Sequence, residues 1–353
     1  MHILHVVGAR PNFVKAAPIL RVLKDKGMRQ TLVHTGQHYD RYMSDVLFAQ
    51  LEIPEPDVNL GVGSGSHASQ TAEIMCRIEP VLLERKPDIV LVYGDVNSTV
   101  AAALVCSKLL IRLGHVEAGL RSFDRTMPEE INRIVTDRLS DYLFTPSEDG
   151  DLNLQNEGVA ADKIHRVGNV MIDSLVRFLP LAAKCLKNEW PGGFALVTLH
   201  RPSNVDDQRN LESILGSLIE VSDELDIVFP VHPRTRQRIA DFKTATHKLH
   251  LLDPMPYLEF LALQSRATVV ITDSGGIQEE TTYLGIPCLT LRSNTERPVT
   301  VTVGTNILVG EDKHKLTSEL ENILAGKGKK GAIPPLWDGH ASERIFAVLQ
   351  GLG

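Results

Sequence analysis

The chain has few of the features that mark several broad protein classes. Its 353 residues include four cysteines, Cys76, Cys106, Cys185 and Cys288, with no CxxC pair. That argues against a disulfide framework or a zinc knuckle and fits a reducing cytoplasm. No apolar run approaches the roughly 20 residues that span a bilayer, so no membrane association is expected. The opening residues, His2–Val7, lack the basic start of a secretory signal and read as a first strand. Positive charge is not in excess: 37 Lys and Arg face 44 Asp and Glu, for a formal net charge of −7. A nucleic-acid partner is therefore not expected, and any anion site must be built locally from backbone amides and a few Arg, Lys and His. A P-loop is absent, as is a GxSxG nucleophile setting.

What is present is an ordinary globular composition, 43% hydrophobic and 23% charged, in a chain long enough for two domains. Short β-branched runs alternate with helical patterns nearly throughout, which predicts α/β architecture with parallel sheets. Strands are expected at His2–Val7, 31–34, 88–93, 113–116, Tyr142–Thr145 and 164–167. The pattern restarts with Phe194–Thr198 and continues at 227–230, His250–Leu252, Val269–Thr272, 287–291 and 307–308. Helices are expected over 13–24, 68–85, 100–110, 277–284 and 341–349, among others. Two Rossmann-like doubly wound domains facing a central cleft follow, with boundaries at 1–168 and 169–335. Residues 336–353 form a closing helix that packs back on the N-terminal domain. The glycine-rich stretch from Asn59 to Ser66 reads as a plain loop, since no strand runs into it. The run from Gly326 to Gly331 reads as a flexible basic connector.

One stretch organises the rest. Val269–Thr272 runs into Asp273-Ser274-Gly275-Gly276, and a helix follows. Strand, glycine turn and helix form a phosphate-holding geometry, because first-turn amides point outward and the helix dipole favours an anion. Glu279 and Glu280, one turn on, can accept from sugar hydroxyls, so the stretch suits a nucleotide.

Other polar residues also fall just after strands. In the first half these are Arg10 and Lys15, Asp95, Glu117, and the pair Glu129-Glu130 at a helix start. In the second half they are His200-Arg201 and His232-Pro233-Arg234. Taken singly, each has a plainer reading: Asp95 as a helix cap, Glu129 as a favourable helix start, Arg10 as a surface residue. Together they suit a bipartite ligand. A cationic half with a helix terminus holds a diphosphate, and an acidic half does proton chemistry on what the diphosphate carries. The pair His34 and His38 straddles Gly36, which argues against a metal-binding helix face, and no metal is expected.

These motifs resemble those of the non-hydrolysing UDP-N-acetylglucosamine 2-epimerases, and the matches run in order along nearly the whole chain. They include Gly8-Ala9-Arg10-Pro11 with Lys15, Gly36-Gln37-His38, Gly94-Asp95, and His115-Val116-Glu117-Ala118-Gly119-Leu120-Arg121. Further along come Pro128-Glu129-Glu130-Ile131-Asn132-Arg133, Thr198-Leu199-His200-Arg201, Pro230-Val231-His232, Asp273 through Glu280, and Thr295-Glu296-Arg297-Pro298. The resemblance implies a glycosyltransferase-B-like fold and reversible conversion of UDP-GlcNAc to UDP-ManNAc through a 2-acetamidoglucal intermediate. It implies no cofactor, a UDP-sugar substrate, a homodimer, and a place in polysaccharide biosynthesis. Carried over by motif, Asp95, Glu117, Glu129 and His200 are catalytic. Arg10, Lys15, Arg121, Arg201, His232, Ser274, Gly275, Gly276, Glu280, Glu296 and Arg297 contact the UDP-sugar, Glu280 through the ribose.

Two departures stand out. The segment Tyr39-Asp40-Arg41-Tyr42-Met43-Ser44-Asp45 differs from that of members activated by UDP-GlcNAc, and Val299 stands where many members carry Glu. Relatives acting on UDP-2,3-diacetamido-uronic acid sugars share most of these motifs. A glycosyltransferase or a catalytically silent nucleotide-sugar sensor uses the same architecture.

Overall fold

A computed structural model describes residues 1–37, 41–185 and 190–352, with the side chains of 41–45 outside it. His38, Tyr39, Asp40 and the first residues of the 187–193 loop lie outside the described residues. The chain divides into two compact units, Met1–Arg177 with Pro335–Gly353, and Phe178–Pro334.

The first unit alternates strand and helix: β1 His2–Val7, α1 Arg10–Asp25, β2 Arg29–His34, α2 Arg41–Gln50, β3 Val58–Asn59, α3 His67–Arg85, β4 Ile89–Tyr93 and α4 Asn97–Leu109. It continues with β5 Arg112–Val116, α5 Pro128–Leu139, β6 Tyr142–Thr145, α6 Glu148–Asn156, β7 Ile164–Arg166 and α7 Val170–Ala182. Its seven parallel strands run in the order β3-β2-β1-β4-β5-β6-β7. The short β3 has no pattern of its own in the sequence: it is two residues at an edge, paired only with β2. The central strands are continuous apolar runs because both faces are covered. All five residues of β4 are buried, and Ile74, Ile78 and Leu82 of α3 pack in the same core.

The second unit comprises β8 Phe194–Thr198, α8 Pro202–Val205, α9 Gln208–Val221, β9 Asp226–Pro230, α10 Pro233–Phe242, β10 His250–Leu252, α11 Tyr257–Gln264 and β11 Val269–Thr272. After these come α12 Gly275–Leu284, β12 Cys288–Thr290, α13 Pro298–Thr302, β13 Asn306–Leu308 and α14 Lys313–Leu324. Six parallel strands run β10-β9-β8-β11-β12-β13. Both units are thus Rossmann-like. In each, the strand order reverses beside the first strand, between β1 and β4 and between β8 and β11. Such reversals leave a crevice beyond the strand ends, where doubly wound sheets bind ligands.

The chain leaves the first unit within α7 and returns to it at Pro335. The closing helix α15, Ala341–Gln350, packs on α1 and is capped from α7. The buried Asp173 carboxylate accepts from Ala341 N at 3.0 Å, Ser342 N at 2.7 Å and the Ser342 hydroxyl at 2.6 Å. Two first-turn amides of α15 are satisfied that way. Trp337, 2% exposed, anchors the return by donating from Nε1 to Pro146 O at 2.9 Å. The expected flexible connector is tied down: Lys329 Nζ donates to the Val301 and Asn306 carbonyls, the latter at 2.9 Å. The loop following β3 is likewise held, by Arg77 Nη1 donating to Leu60 O and Gly61 O.

Candidate functional site

Each unit carries a cluster at the carboxyl ends of the strands flanking its reversal point. In the first unit β1 runs into Arg10 at the start of α1, β4 into Gly94-Asp95, and β5 into Glu117. Lys15, one turn into α1, reaches Glu117 with Nζ 2.6 Å from Oε2, and both side chains are 4% exposed. Gly94 has φ +59, which favours glycine at this turn, and a Cβ there would lie 2.7 Å from Lys15 Nζ and displace the ammonium. Glu117 itself has φ +75, a left-handed backbone that costs a non-glycine residue about 1–3 kcal/mol. Strain of this kind concentrates where a side chain must be aimed rather than merely packed.

Helix α5 supplies the rest. Its buried residues are Glu130, Asn132, Arg133, Thr136 and Asp137, whereas Ile131 is exposed. The helix is amphipathic with the polar face turned inward. Arg133 pairs with Asp95 through Nη1 and with Glu130 through Nη2 at 2.6 Å. Asp95 is therefore not the cap of α4; Val96 holds that position. Glu130 also accepts from the amides of Ser122 at 3.0 Å and Phe123 at 2.9 Å. Burial alone would raise its carboxyl; the Ser122 amide and Arg133 hold it below the usual range. Asp137 ties two loops together. Its Oδ1 lies 2.6 Å from His115 Nδ1, and Oδ2 accepts from Gly119 N at 3.1 Å and Arg121 Nη1 at 2.7 Å. The other ring nitrogen of His115 is 2.8 Å from Gly94 O. Despite complete burial, His115 and Arg121 keep the Asp137 carboxyl low. Glu129, half-buried in the first turn of α5, carries no hydrogen bond among the described residues.

Arg121, expected to contact the UDP-sugar, is engaged within the first unit. It is 2% exposed, and its guanidinium is engaged with Asp137, with both Glu157 oxygens at 2.7 and 2.8 Å, and with Leu120 O. Arg121 fixes the 117–121 turn from within.

In the second unit Asp273 is the corresponding centre. Fully buried at the end of β11, it accepts from the amides of His200 at 3.0 Å and Arg201 at 2.9 Å and from Asn204 Nδ2 at 3.1 Å. His200 Nδ1 is 2.8 Å from Asp273 Oδ1. That contact places a proton on Nδ1 and leaves Nε2 for a partner. Burial would raise Asp273, but His200 and the two amides hold its carboxyl below the usual range. Arg201 Nε donates to Asp273 O at 3.0 Å. The chain then turns through Ser274, Gly275 and Gly276, all half-buried, into α12, whose first-turn amides have no intrahelical acceptor. His232, exposed after β9, accepts from Arg234 N as the cap of α10.

Glu296 and Arg297, also expected to contact the UDP-sugar, are paired with each other. They are 3% and 6% exposed and belong to a buried chain of alternating charge, Arg292–Glu296–Arg297–Glu279. A Cβ on Gly275 would sit 2.4 Å from Arg297 Nη1 and 2.7 Å from Glu296 Oε1. This chain backs the glycine turn and explains why residue 275 is glycine. Glu279, read from sequence as a sugar-hydroxyl acceptor, is consumed by Arg297 at 3.0 Å. Glu280 is buried too, and accepts from the Tyr257 hydroxyl at 3.1 Å. Among the described residues, no group of three or more His, Cys, Asp or Glu converges as a metal site.

A family profile described as UDP-N-acetylglucosamine 2-epimerase matches residues 21–350. A relative from Methanocaldococcus jannaschii named UDP-N-acetylglucosamine 2-epimerase is 44% identical over 98% of this chain and 97% of its own. One from Pseudomonas aeruginosa, named UDP-2,3-diacetamido-2,3-dideoxy-D-glucuronate 2-epimerase, is 43% identical over the full length of both. Among solved structures, the M. jannaschii UDP-GlcNAc 2-epimerase in complex with UDP-GlcNAc and UDP superposes with TM-score 0.91 at 42% identity, covering 99% of this chain and 100% of that one.

Proposed function

The chain belongs to the UDP-N-acetylglucosamine 2-epimerase family, and on that premise we propose that it interconverts UDP-GlcNAc and UDP-ManNAc by eliminating UDP and adding it back. In the forward step a carboxylate takes the C2 proton. The C2–H electrons form the C1=C2 bond, and the C1–O electrons leave with UDP, giving 2-acetamidoglucal. On return, UDP oxygen attacks C1 and a proton is delivered to the opposite face of C2.

The observation that carries this reading is the first-unit cluster. Asp95, Glu117 and Glu129 end up at neighbouring strand and helix termini, and Lys15 and Arg133 pair with two of them and aim them. Taking an unactivated C–H proton needs such bases in a largely water-free setting. In the second unit, the first-turn amides of α12 supply fixed donors for the leaving diphosphate, and His200, oriented by Asp273, is assigned to assist its departure. Arg10, Arg201, His232 and Ser274 are assigned to the same nucleotide, and Glu280 to its ribose. The scheme uses no nicotinamide and no metal, and we place the enzyme in the cytoplasm as a homodimer.

The P. aeruginosa relative supports a second reading, in which the sugar carries a 3-acetamido group and a C6 carboxylate. Presenting both UDP-sugars separately, with product separation by anion-exchange chromatography, tests the assignment. The proposal expects UDP-ManNAc from UDP-GlcNAc at a kcat/KM above that for the diacetamido-uronate. The reverse order would move the substrate to the second class.

A further inference from the structure

Glu280 differs from the other buried carboxylates of the second unit. Asp273 is matched by His200 and Glu279 by Arg297, whereas no Lys, Arg or His pairs with Glu280 among the described residues. What faces it comes from α11. The Tyr257 hydroxyl donates to Oε1, and the Gln264 amide approaches closely enough to ease ionisation. Burial outweighs both and pushes the carboxyl up to about 7.

Gln264 is fully buried, yet neither its amide nitrogen nor its amide oxygen completes a well-formed hydrogen bond. Buried primary amides are normally satisfied, so an orphaned one beside a functional carboxylate calls for an explanation. Tyr257 is held in place from the other side. Its ring meets Phe178 edge-on, with centroids 6.3 Å apart and planes at 87°. The hydroxyl therefore has little freedom to leave Glu280.

We propose that Tyr257 and Gln264 are positioning residues that set the ribose specificity of the nucleotide site. Tyr257 holds one oxygen of Glu280 so that the other meets the nucleoside diol. The Gln264 amide completes its bond to the carboxylate when a sugar hydroxyl engages it. Neither residue touches the ligand; both act through the carboxylate. The inference rests on Glu280 being the ribose acceptor.

The test compares calorimetric Kd values for UDP and for 2′,3′-dideoxyuridine 5′-diphosphate at pH 8, in wild type, Glu280→Gln, Tyr257→Phe and Gln264→Leu. Wild type should prefer UDP by about tenfold or more, since a hydroxyl–carboxylate bond is charge-assisted. Tyr257→Phe and Gln264→Leu should each cut that preference by about threefold or more, while the dideoxy Kd stays within about twofold of wild type. Equal weakening of both ligands would reduce the two residues to packing and overturn the proposal. An unchanged UDP preference would overturn it as well. A wild type with no preference, matched by Glu280→Gln, would remove the ribose reading itself, a result visible before either α11 variant is considered. Thermal unfolding confirms that each variant folds; if Gln264→Leu does not, Tyr257→Phe alone decides.

Discussion

Lys15 Nζ lies 2.6 Å from Glu117 Oε2 with both side chains 4% exposed. An ion pair this buried is costly to break from one side, because the survivor keeps its desolvation penalty and loses its partner. Lys15→Met should lower unfolding free energy by about 3–5 kcal/mol and abolish turnover. Adding Glu117→Gln should restore most of the stability and none of the activity. Urea unfolding of the two single variants and the double variant measures the coupling directly.

Arg133 joins Asp95 and Glu130 through separate nitrogens of one guanidinium. Lysine keeps the charge but cannot bridge both carboxylates. Losing one bond between charged groups costs about 1.5–3 kcal/mol, or roughly 10- to 100-fold in rate. Arg133→Lys should therefore reduce kcat by that amount while the Kd for UDP is unchanged. A rise in that Kd would argue against placing Arg133 in proton chemistry alone.

Glu280 ties nucleotide affinity to pH. Its carboxyl is raised to about 7, so the ionised acceptor is depleted below neutrality, and UDP affinity should fall as pH drops from 8 to 6. For stability the sign is opposite to that of a paired carboxylate. Between the unfolded value near 4.5 and about 7, the folded state holds more protons than the unfolded one, so the Glu280 contribution declines as pH rises and levels off above 7. At 1.36 kcal/mol per pH unit that amounts to about 3 kcal/mol. Glu280→Gln should be more stable than wild type at pH 8, by up to about 3 kcal/mol, with no advantage at pH 4.5. Unfolding at both pH values checks it.

Leu110 ends α4 with φ +56 and is 92% exposed. A left-handed backbone disfavours any residue with a Cβ. Leu110→Gly should raise stability by up to about 1 kcal/mol and leave turnover unchanged, measurable as a shift in denaturant midpoint.

The sheets were legible because parallel strands covered on both faces must be apolar runs, as Ile89–Tyr93 and Val269–Thr272 are. The post-strand positions of Asp95, Glu117 and Asp273 followed from the same logic. What escaped was the support behind them. Arg121, Glu296 and Arg297 are charged and sit near motif residues, and charge alone does not distinguish a ligand contact from a buried strut. The partners that engage them, Asp137 and Glu157 for Arg121, Glu279 for Arg297, and Arg292 four residues before Glu296, appear only in the folded chain. One signal was present and unread. Glu130, Arg133 and Asp137 recur at helical spacing on α5, and with Ile131 on the opposite, exposed face they mark a helix packed with its polar side inward. Tyr257 and Gln264 gave no signal, because a Tyr and a Gln in an apolar helix read as core and edge.

The central claim is that this chain breaks the C2–H bond of a UDP-sugar and returns the proton to the other face. A proton NMR time course of UDP-GlcNAc with the enzyme in heavy water tests it most directly. The account predicts loss of the C2 proton signal from the pool as UDP-ManNAc appears, with deuterium at C2 of the product and UDP held in the nucleotide sugars. UDP-GlcNAc that binds but keeps its C2 proton, or turnover that begins only when a sugar acceptor is added, would contradict it.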